Sequence, residues 1–150
     1  MNFLRTAVNY LSFVFAGLIL LLSALVVQLW PASFWFDVAS VRVEDSRVGG
    51  PVIMAVSRTI HRDFTGEWTT SLRRLQDGKW IAYCTASGAT NYQTDSSLPD
   101  PLTLQWWTYP DCHPIDEGKY IMRTTWRIKG MGFLPDKEVQ ATSNIFVVNP

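Results

Sequence analysis

The stretch DEGKYIMRTTWRIK, residues 116–129, has the most informative local pattern in the chain. From its fourth residue onward, two kinds of side chain alternate. One set of alternate positions holds Tyr120, Met122, Thr124, Trp126 and Ile128, and the other holds Lys119, Arg123, Arg127 and Lys129. A period of two is typical of a β-strand that has one face in a core and the other in solvent. The stretch therefore predicts a long, half-buried strand.

Similar patterns continue on both sides of this strand. Further strands are predicted at 38–44 (with a bulge near residues 39–40), 52–64, 67–75, 79–86, 102–106 and 139–148. Asp77 and Gly78 favour a tight hairpin turn between 67–75 and 79–86, whereas residues 87–101 have no period and predict a loop or very short strands. About seven strands in about 110 residues predict an all-β fold, an antiparallel β-sandwich. A small, partly open barrel is the alternative.

Asp116, Gly118 and Tyr120 form a D-x-G-x-Y pattern at the start of the alternating stretch 116–129. This pattern resembles the tyrosine corner of immunoglobulin-like sandwiches, in which a Tyr near the start of the penultimate strand bonds back to the backbone. The closing strand is also similar to the last strand of Ig-like and fibronectin-type modules. The resemblance implies an Ig-like sandwich in which these three residues are structural. Met122 stands where antibody domains have a cysteine, so the resemblance does not extend to their inter-sheet disulfide.

The N-terminal part of the chain has a different character. Residues 6–36 contain no Asp, Glu, Lys or Arg, and the apolar centre at 11–30 is twenty residues long. An α-helix of that length spans the ~30 Å hydrocarbon core of a bilayer. The sequence predicts an uncleaved transmembrane signal anchor over residues 1–36, followed by a separate domain over residues 37–150. A signal peptide cleaved after Ala24 is the alternative.

The charges around the anchor predict its orientation. Arg5 and the amino terminus lie on the short side, and on the far side Asp37 precedes the first basic residue, Arg42. The excess of positive charge in cytoplasmic segments places the amino terminus in the cytoplasm. We therefore expect a single-pass protein of the inner (cytoplasmic) membrane whose C-terminal domain is periplasmic or extracellular. The layout also resembles small single-pass membrane proteins of tailed phages and prophages, which implies a role in modifying the host envelope.

The chain has two cysteines, Cys84 and Cys112. In an exported domain such a pair predicts a disulfide bond, here closing a loop of 28 residues. Two reduced thiols in a cytosolic domain are the alternative. The spacing of Cys and His does not match a zinc site, and no metal or other cofactor is expected.

The charge balance of the domain argues against nucleic acid as a partner. Beyond residue 36 the chain carries 13 acidic and 12 basic residues, whereas nucleic-acid-binding domains usually have a large basic excess. His61 and Asp63 could form an acid–base pair on one strand face, but no nucleophile motif accompanies them. We interpret them as a solvated strand face and expect no enzymatic activity.

The candidate partner-binding residues are aromatic and basic. Adjacent Trp106 and Trp107 on a strand would point to opposite faces, so at least one is expected on the outside. Trp107 and Tyr109 are the candidate anchors of an interface. The alternative for Trp107 is that the 87–101 loop covers it. A basic patch on neighbouring strands is a further candidate, formed by Arg58, Arg62, Arg73 and Arg74.

These features together predict a non-catalytic binding or accessory protein. It is anchored in a membrane, presents a β-sandwich outside the cytoplasm and contacts another envelope or membrane protein. One alternative is an envelope hydrolase or carbohydrate-binding domain, and another is a structural subunit of a membrane complex. The oligomeric state is not predicted.

Overall fold

The computed structural model describes residues 2–108, 112, 114–130 and 135–150, except for the side chains of residues 2–11 and 27–29. The chain divides into two compact units, Met1–Pro31 and Ala32–Pro150. The first unit contains helix α1, which spans Asn2–Leu29. Within the described part of the chain, no helix is long and apolar enough to cross a membrane.

The second unit is built from strands. After a 3₁₀ turn at Ala32–Phe34, the described residues form β1 (Phe36–Val43), β2 (Ser46–Arg47), β3 (Ile53–Ile60), β4 (Phe64–Gln76), β5 (Lys79–Tyr92), β6 (Leu102–Thr103), the short helix α2 (Leu104–Thr108), β7 (Gly118–Ile128), β8 (Lys137–Thr142) and β9 (Phe146–Asn149). This unit begins five residues before the predicted start of the domain at residue 37.

The strands form two sheets. One has the order β1-β3-β6, and the other has the order β2-β9-β7-β4-β5, with β8 also paired to β7. All pairs are antiparallel except β2 with β9, which are parallel. Buried side chains of both sheets belong to one hydrophobic core, among them Val41, Met54, Leu72, Tyr120 and Trp126. The predicted all-β fold with two sheets, consistent with a β-sandwich, is therefore observed.

The pattern of β7 is observed as predicted. Its alternate side chains, from Tyr120 to Ile128, are at most 3% exposed. The strand pairs with β4 on one side and with β8 and β9 on the other, so it is an interior strand of its sheet. A register shift between Val38 and Ser40 is the bulge predicted in β1. The β4–β5 hairpin turns at Asp77 and Gly78, whose φ angles of 50° and 75° are those a tight hairpin requires.

Two predicted segment boundaries were wrong. The strand predicted at 52–64 ends at Ile60, because the backbone N–H groups of His61 and Arg62 both donate to the carbonyl of Trp35 and the chain turns there. Residues 87–92, predicted as part of an irregular segment, continue β5 and pair with the first half of β4. Its turn formers Gly88 and Asn91 are accommodated in β5 because they pair with Trp68 and Thr65 of β4.

The strand predicted at 102–106 was also wrong. It stops after Thr103, and α2 follows it. The Thr103 hydroxyl accepts a hydrogen bond from the backbone N–H of Trp106 at 3.3 Å, which is the bond of a helix N-cap. At the other end, the Thr108 hydroxyl donates to the carbonyl of Leu104 at 2.8 Å.

The predicted closing strand at 139–148 is divided into β8 and β9, which lie one after the other along the same edge of β7. Between them, Ser143 replaces the strand pairing, because its N–H donates to the Met122 carbonyl and its hydroxyl accepts from the Met122 N–H. Together with the short β2, this division gives nine strands in the described residues instead of about seven.

Candidate functional site

A cleft of about 410 Å³ opens beside α2. Its lining comes from β3, β4, β5, the loop at 93–101 and α2, so elements of both sheets meet there. We call it the Trp106 cleft. The described lining consists of four aromatic residues (Trp68, Tyr92, Trp106 and Trp107), one cation (Arg58) and five neutral polar residues (Thr90, Asn91, Ser96, Ser97 and Gln105).

The two tryptophans of α2 have different environments. Trp107 is 7% exposed, its indole N–H donates to the Thr70 hydroxyl at 3.0 Å, and its ring packs edge-to-face on Trp126 with centroids 6.0 Å apart. Trp106 is 55% exposed. Successive residues of a helix point about 100° apart, so burial of one indole leaves the next free to face the cleft. Trp106 is therefore the aromatic side chain that the cleft presents to a ligand.

The cation of the cleft is Arg58, on β3. Its guanidinium carbon lies 5.6 Å from the ring centroid of Tyr92, and Tyr92 stacks on Phe64 at 4.7 Å. Burial lowers the pKa of Arg58, and the nearby Tyr92 opposes that shift. The three ion pairs of the described residues involve other groups, and none of their carboxylates pairs with Arg58. Arg58 is thus a half-buried cation supported by an aromatic ring.

Two of the polar residues are held by hydrogen bonds. The Asn91 side-chain oxygen accepts from the Thr65 hydroxyl at 2.9 Å, which fixes the orientation of the amide. The Ser96 hydroxyl accepts from the backbone N–H of Gln93 at 3.2 Å. The cleft therefore offers aromatic rings, amides, hydroxyls and one guanidinium, which are the groups that binding sites use to orient a small polar ligand.

The structure corrects the prediction that Trp107 is an exposed interface residue. It belongs to the core, and the exposed tryptophan is its neighbour Trp106. The error follows from the strand predicted at 102–106, which is α2 from Leu104 onward. Tyr109, the other predicted aromatic anchor, lies outside the described residues.

The four predicted arginines do not form one patch. Arg58 lies beside Tyr92, which is paired with Phe64 at the start of β4. Arg73 lies nine residues beyond Phe64 in β4, which is about 30 Å from Phe64 at the rise of a strand. Arg74 follows it. Their partners also differ. The guanidinium of Arg62 lies on the Phe34 ring at 3.9 Å, and that of Arg74 donates to the Glu117 carbonyl at 2.6 Å.

The residues of the D-x-G-x-Y pattern lie together at the start of β7. The Tyr120 hydroxyl, fully buried, donates to the Asp116 carbonyl at 2.9 Å. The Tyr83 hydroxyl donates to the Asp116 carboxylate and accepts from the Asp116 N–H, both at 3.2 Å. Burial raises the pKa of Tyr120 to about 12, Arg74 opposes this shift, and Tyr83 and Asp116 add to it. Gly118 has a φ of 151°, a conformation that side chains rarely adopt.

The acid–base pair considered for His61 and Asp63 is not formed. The His61 imidazole contacts the Asp37 carboxylate at 3.2 Å, and both side chains are about half exposed. Asp63 instead accepts a hydrogen bond from the backbone N–H of Thr94 at 2.8 Å. Among the described residues, no group of three or more His, Cys, Asp or Glu could hold a metal ion.

The predicted disulfide bond between Cys84 and Cys112 is confirmed. The two Cα atoms are 5.8 Å apart, within the usual range for such a bond. Cys84 lies in β5 and Cys112 lies between α2 and β7, so the bond attaches that connection to the hairpin.

The Trp106 cleft was not predicted from the sequence. Thr103, three residues before Trp106, is a residue type favoured at helix N-caps, and it could have indicated the start of α2.

Comparison of the chain with protein-family models, with curated proteins and with solved structures gives no match.

Proposed function

We propose that this protein is a membrane-anchored, non-catalytic binding module with an Ig-like sandwich outside the cytoplasm, and that the Trp106 cleft is its binding site. The observation that carries the proposal is that one cleft is lined by both the exposed indole of Trp106 and the half-buried guanidinium of Arg58. Aromatic side chains and arginine contribute most of the binding energy in protein recognition sites.

The strand order supports the Ig-like assignment. In the order of hydrogen-bonded neighbours, β9-β7-β4-β5 corresponds to the G, F, C and C′ strands of a variable-type Ig sheet, and β1-β3-β6 corresponds to A, B and E. Tyr120 lies near the start of β7, the strand equivalent to F, and its hydroxyl bonds to the backbone four residues earlier. That bond is the defining feature of a tyrosine corner.

The N-terminal unit supports the anchor. Residues 6–36 are uncharged, and α1 is 28 residues long. Its described apolar side chains are exposed around the helix, for example Phe13 at 79% and Leu20 at 72%. A helix that is apolar on all sides needs an apolar surrounding, which a bilayer provides. Arg5 and the positive-inside bias support a cytoplasmic amino terminus, and the Cys84–Cys112 bond supports an exported domain.

The partner we propose is another protein of the envelope or membrane, reached by the cleft while the anchor holds the domain close to the bilayer. The resemblance to single-pass phage proteins favours a partner in a host envelope. A carbohydrate-binding module is the second candidate, because the cleft combines an exposed indole with five neutral polar side chains. A structural subunit held through its helix would instead place the essential contacts in residues 6–30.

Site-specific photocrosslinking in intact cells tests the binding site. A photoreactive phenylalanine analogue at position 106 is compared with the same analogue at Ile145, which is equally exposed at 55% but lies in the β8–β9 connection. We expect a crosslinked partner from position 106 and not from position 145. Equal crosslinking from both positions, or none from position 106, contradicts a protein partner at the Trp106 cleft. Replacing residues 6–30 by an unrelated membrane-spanning helix should leave the crosslink intact, unless the structural-subunit alternative holds.

Thiol labelling tests the proposed topology separately. A membrane-impermeant maleimide is added to intact cells before and after reduction. We expect Cys84 and Cys112 to label from outside only after reduction. Labelling that requires cell lysis would place the domain in the cytoplasm and contradict the proposed compartment.

A further inference from the structure

Among the residues that the structure describes, the cation of the Trp106 cleft, Arg58, forms no ion pair. Arg58 is half-buried, and its guanidinium carbon lies 5.6 Å from the ring centroid of Tyr92. Burial disfavours its charged form, as the lowered pKa of Arg58 indicates. A cation kept in a concave site is stabilised when an anion enters it, because the pair then replaces the lost hydration. The cleft is therefore arranged for a ligand with a negative group.

The other lining residues indicate what carries that negative group. Asn91, Ser96 and Gln105 offer hydroxyl and amide groups, each of which can both donate and accept hydrogen bonds. A ligand with several hydroxyls can form hydrogen bonds with groups of both kinds. The exposed indole of Trp106 adds a flat apolar surface on which a ring can stack. A saccharide has both properties, since its pyranose ring has an apolar face and a rim of hydroxyls.

We infer that the Trp106 cleft binds an acidic saccharide, with a pyranose ring on the Trp106 indole and its carboxylate on the Arg58 guanidinium. The inference rests on the proposed function for the location of the site, and it deepens the second candidate named there, a carbohydrate-binding module, by naming the ligand class. A volume of about 410 Å³ is within the range of small-molecule sites. Arginine suits the task because its planar guanidinium donates two parallel hydrogen bonds to one carboxylate.

Calorimetric titration of the full-length protein in detergent tests this inference. The probes are three acidic sugars: a trigalacturonate, a glucuronate disaccharide and an N-acetylneuraminyl-lactose. Each is paired with the same saccharide after reduction of its carboxylate to an alcohol. We expect at least one acidic sugar to bind, with a roughly 10- to 100-fold loss of affinity for its reduced form, as expected for a hydrogen bond to a charged group.

Variants identify the residues responsible. Arg58→Gln should lower the affinity for the acidic sugar to that of the reduced sugar, and Arg58→Lys should restore only part of it. Trp106→Ala should weaken binding of both forms, whereas Ile145→Ala, the exposure-matched control, should change neither. Far-ultraviolet circular dichroism and the unfolding midpoint of each variant show whether the fold is retained.

Several outcomes would overturn the inference: no binding of any acidic probe, equal binding of acidic and reduced forms, or binding unaffected by Arg58→Gln. The crosslinking experiment separates this failure from failure of the proposed function. If position 106 crosslinks a protein while no acidic sugar binds, the saccharide inference is wrong and the binding site stands. If position 106 gives no crosslink and no sugar binds, both are wrong.

Discussion

Single side chains replace backbone pairing where the two sheets meet. The side-chain amide of Asn144 accepts from the Val43 N–H at 2.8 Å and donates to the Val43 carbonyl at 2.9 Å, so it bonds to β1 as a neighbouring strand would. Asn144 belongs to the connection between β8 and β9, in the other sheet. Val43 is 3% exposed, and its backbone groups have little access to water. This amide therefore joins the two sheets.

Replacing Asn144 by alanine tests that role. The change leaves the N–H and the carbonyl of Val43 without these partners, and an unsatisfied buried group costs about 1–3 kcal/mol. We expect Asn144→Ala to lower the free energy of unfolding by about 2 kcal/mol, measured by urea denaturation. Asn149→Ala is the control, since its exposed side chain donates one long bond of 3.4 Å to Ser46. Similar losses in both variants would contradict the special role of Asn144.

The pKa of Tyr120 predicts how stability depends on alkaline pH. In the folded protein the pKa is raised to about 12, whereas an unperturbed tyrosine titrates near 10. The neutral form is thus favoured by folding, so the contribution of Tyr120 is complete below pH ~10 and is lost as the pH rises toward the folded pKa. We expect the wild-type protein to lose stability more steeply than Tyr120→Phe between these two values. If the wild type and Tyr120→Phe gave parallel curves of unfolding free energy against pH, the claim that folding raises the pKa of Tyr120 would be contradicted.

At the scale of secondary structure, the β4–β5 hairpin is the longest paired element of the described chain, and it also forms one wall of the Trp106 cleft. Its close packing depends on Gly88, which lies opposite Trp68. A Cβ atom at position 88 would lie 2.9 Å from the indole of Trp68. The glycine therefore leaves space for an aromatic side chain of the neighbouring strand.

The variant Gly88→Ala should displace the Trp68 indole. Overpacking of a core usually costs about 1–3 kcal/mol, so we expect a loss of that size in thermal or chemical denaturation. Because Trp68 also lines the cleft, the affinity of any cleft ligand should fall as well. Ser87→Ala, at the exposed neighbouring position, should stay within about 0.5 kcal/mol of the wild type. An unchanged stability of Gly88→Ala would show that Trp68 moves without cost.

The disulfide bond joins the same hairpin to the connection before β7. Its two cysteines are 28 residues apart in the chain. In the loop-entropy model, closing a loop of that length in the unfolded chain is worth about 3–4 kcal/mol. We expect the double variant Cys84→Ala/Cys112→Ala to be less stable by that amount in urea denaturation. Reduction of the wild type should give a similar loss, and no loss in either case would mean that the bond does not restrict the unfolded chain.

On the scale of the whole molecule, the boundary between the two units lies before the first strand. The compact unit starts at Ala32, and the residues just after it already belong to the core. Phe36 is fully buried, and its ring lies 5.3 to 5.8 Å from the rings of Phe64, Tyr92 and Trp126. The carbonyl of Trp35 also accepts the hydrogen bonds that end β3.

Two fragments test this boundary. A fragment of residues 32–150 should fold cooperatively, because it contains every element of the second unit. A fragment of residues 37–150 lacks Phe36 and should be less stable by at least ~3 kcal/mol, the usual cost of removing a buried phenylalanine side chain. Urea denaturation of the two fragments measures the difference. Equal stabilities would move the boundary back to the position predicted from the sequence.

Several features of this protein follow from short stretches of the sequence or from its residue counts. The alternation in 119–129 predicts which face of β7 is buried, Asp77 and Gly78 predict the hairpin turn, and a lone pair of cysteines predicts the disulfide. Each of these depends on neighbouring residues or on simple counting. Backbone periodicity and turn geometry are local properties, so a single sequence carries them.

The remaining features depend on contacts between distant parts of the chain. Residues 102–106 alternate like a strand, yet the cap at Thr103 and burial of Trp107 against Trp126 make α2 the better packed arrangement. Asn144 and Val43 are 101 residues apart, and no local pattern links them. The Trp106 cleft likewise joins residues from both sheets and α2. Such features depend on which distant segments meet, and that is set by packing of the whole core rather than by any one stretch of sequence.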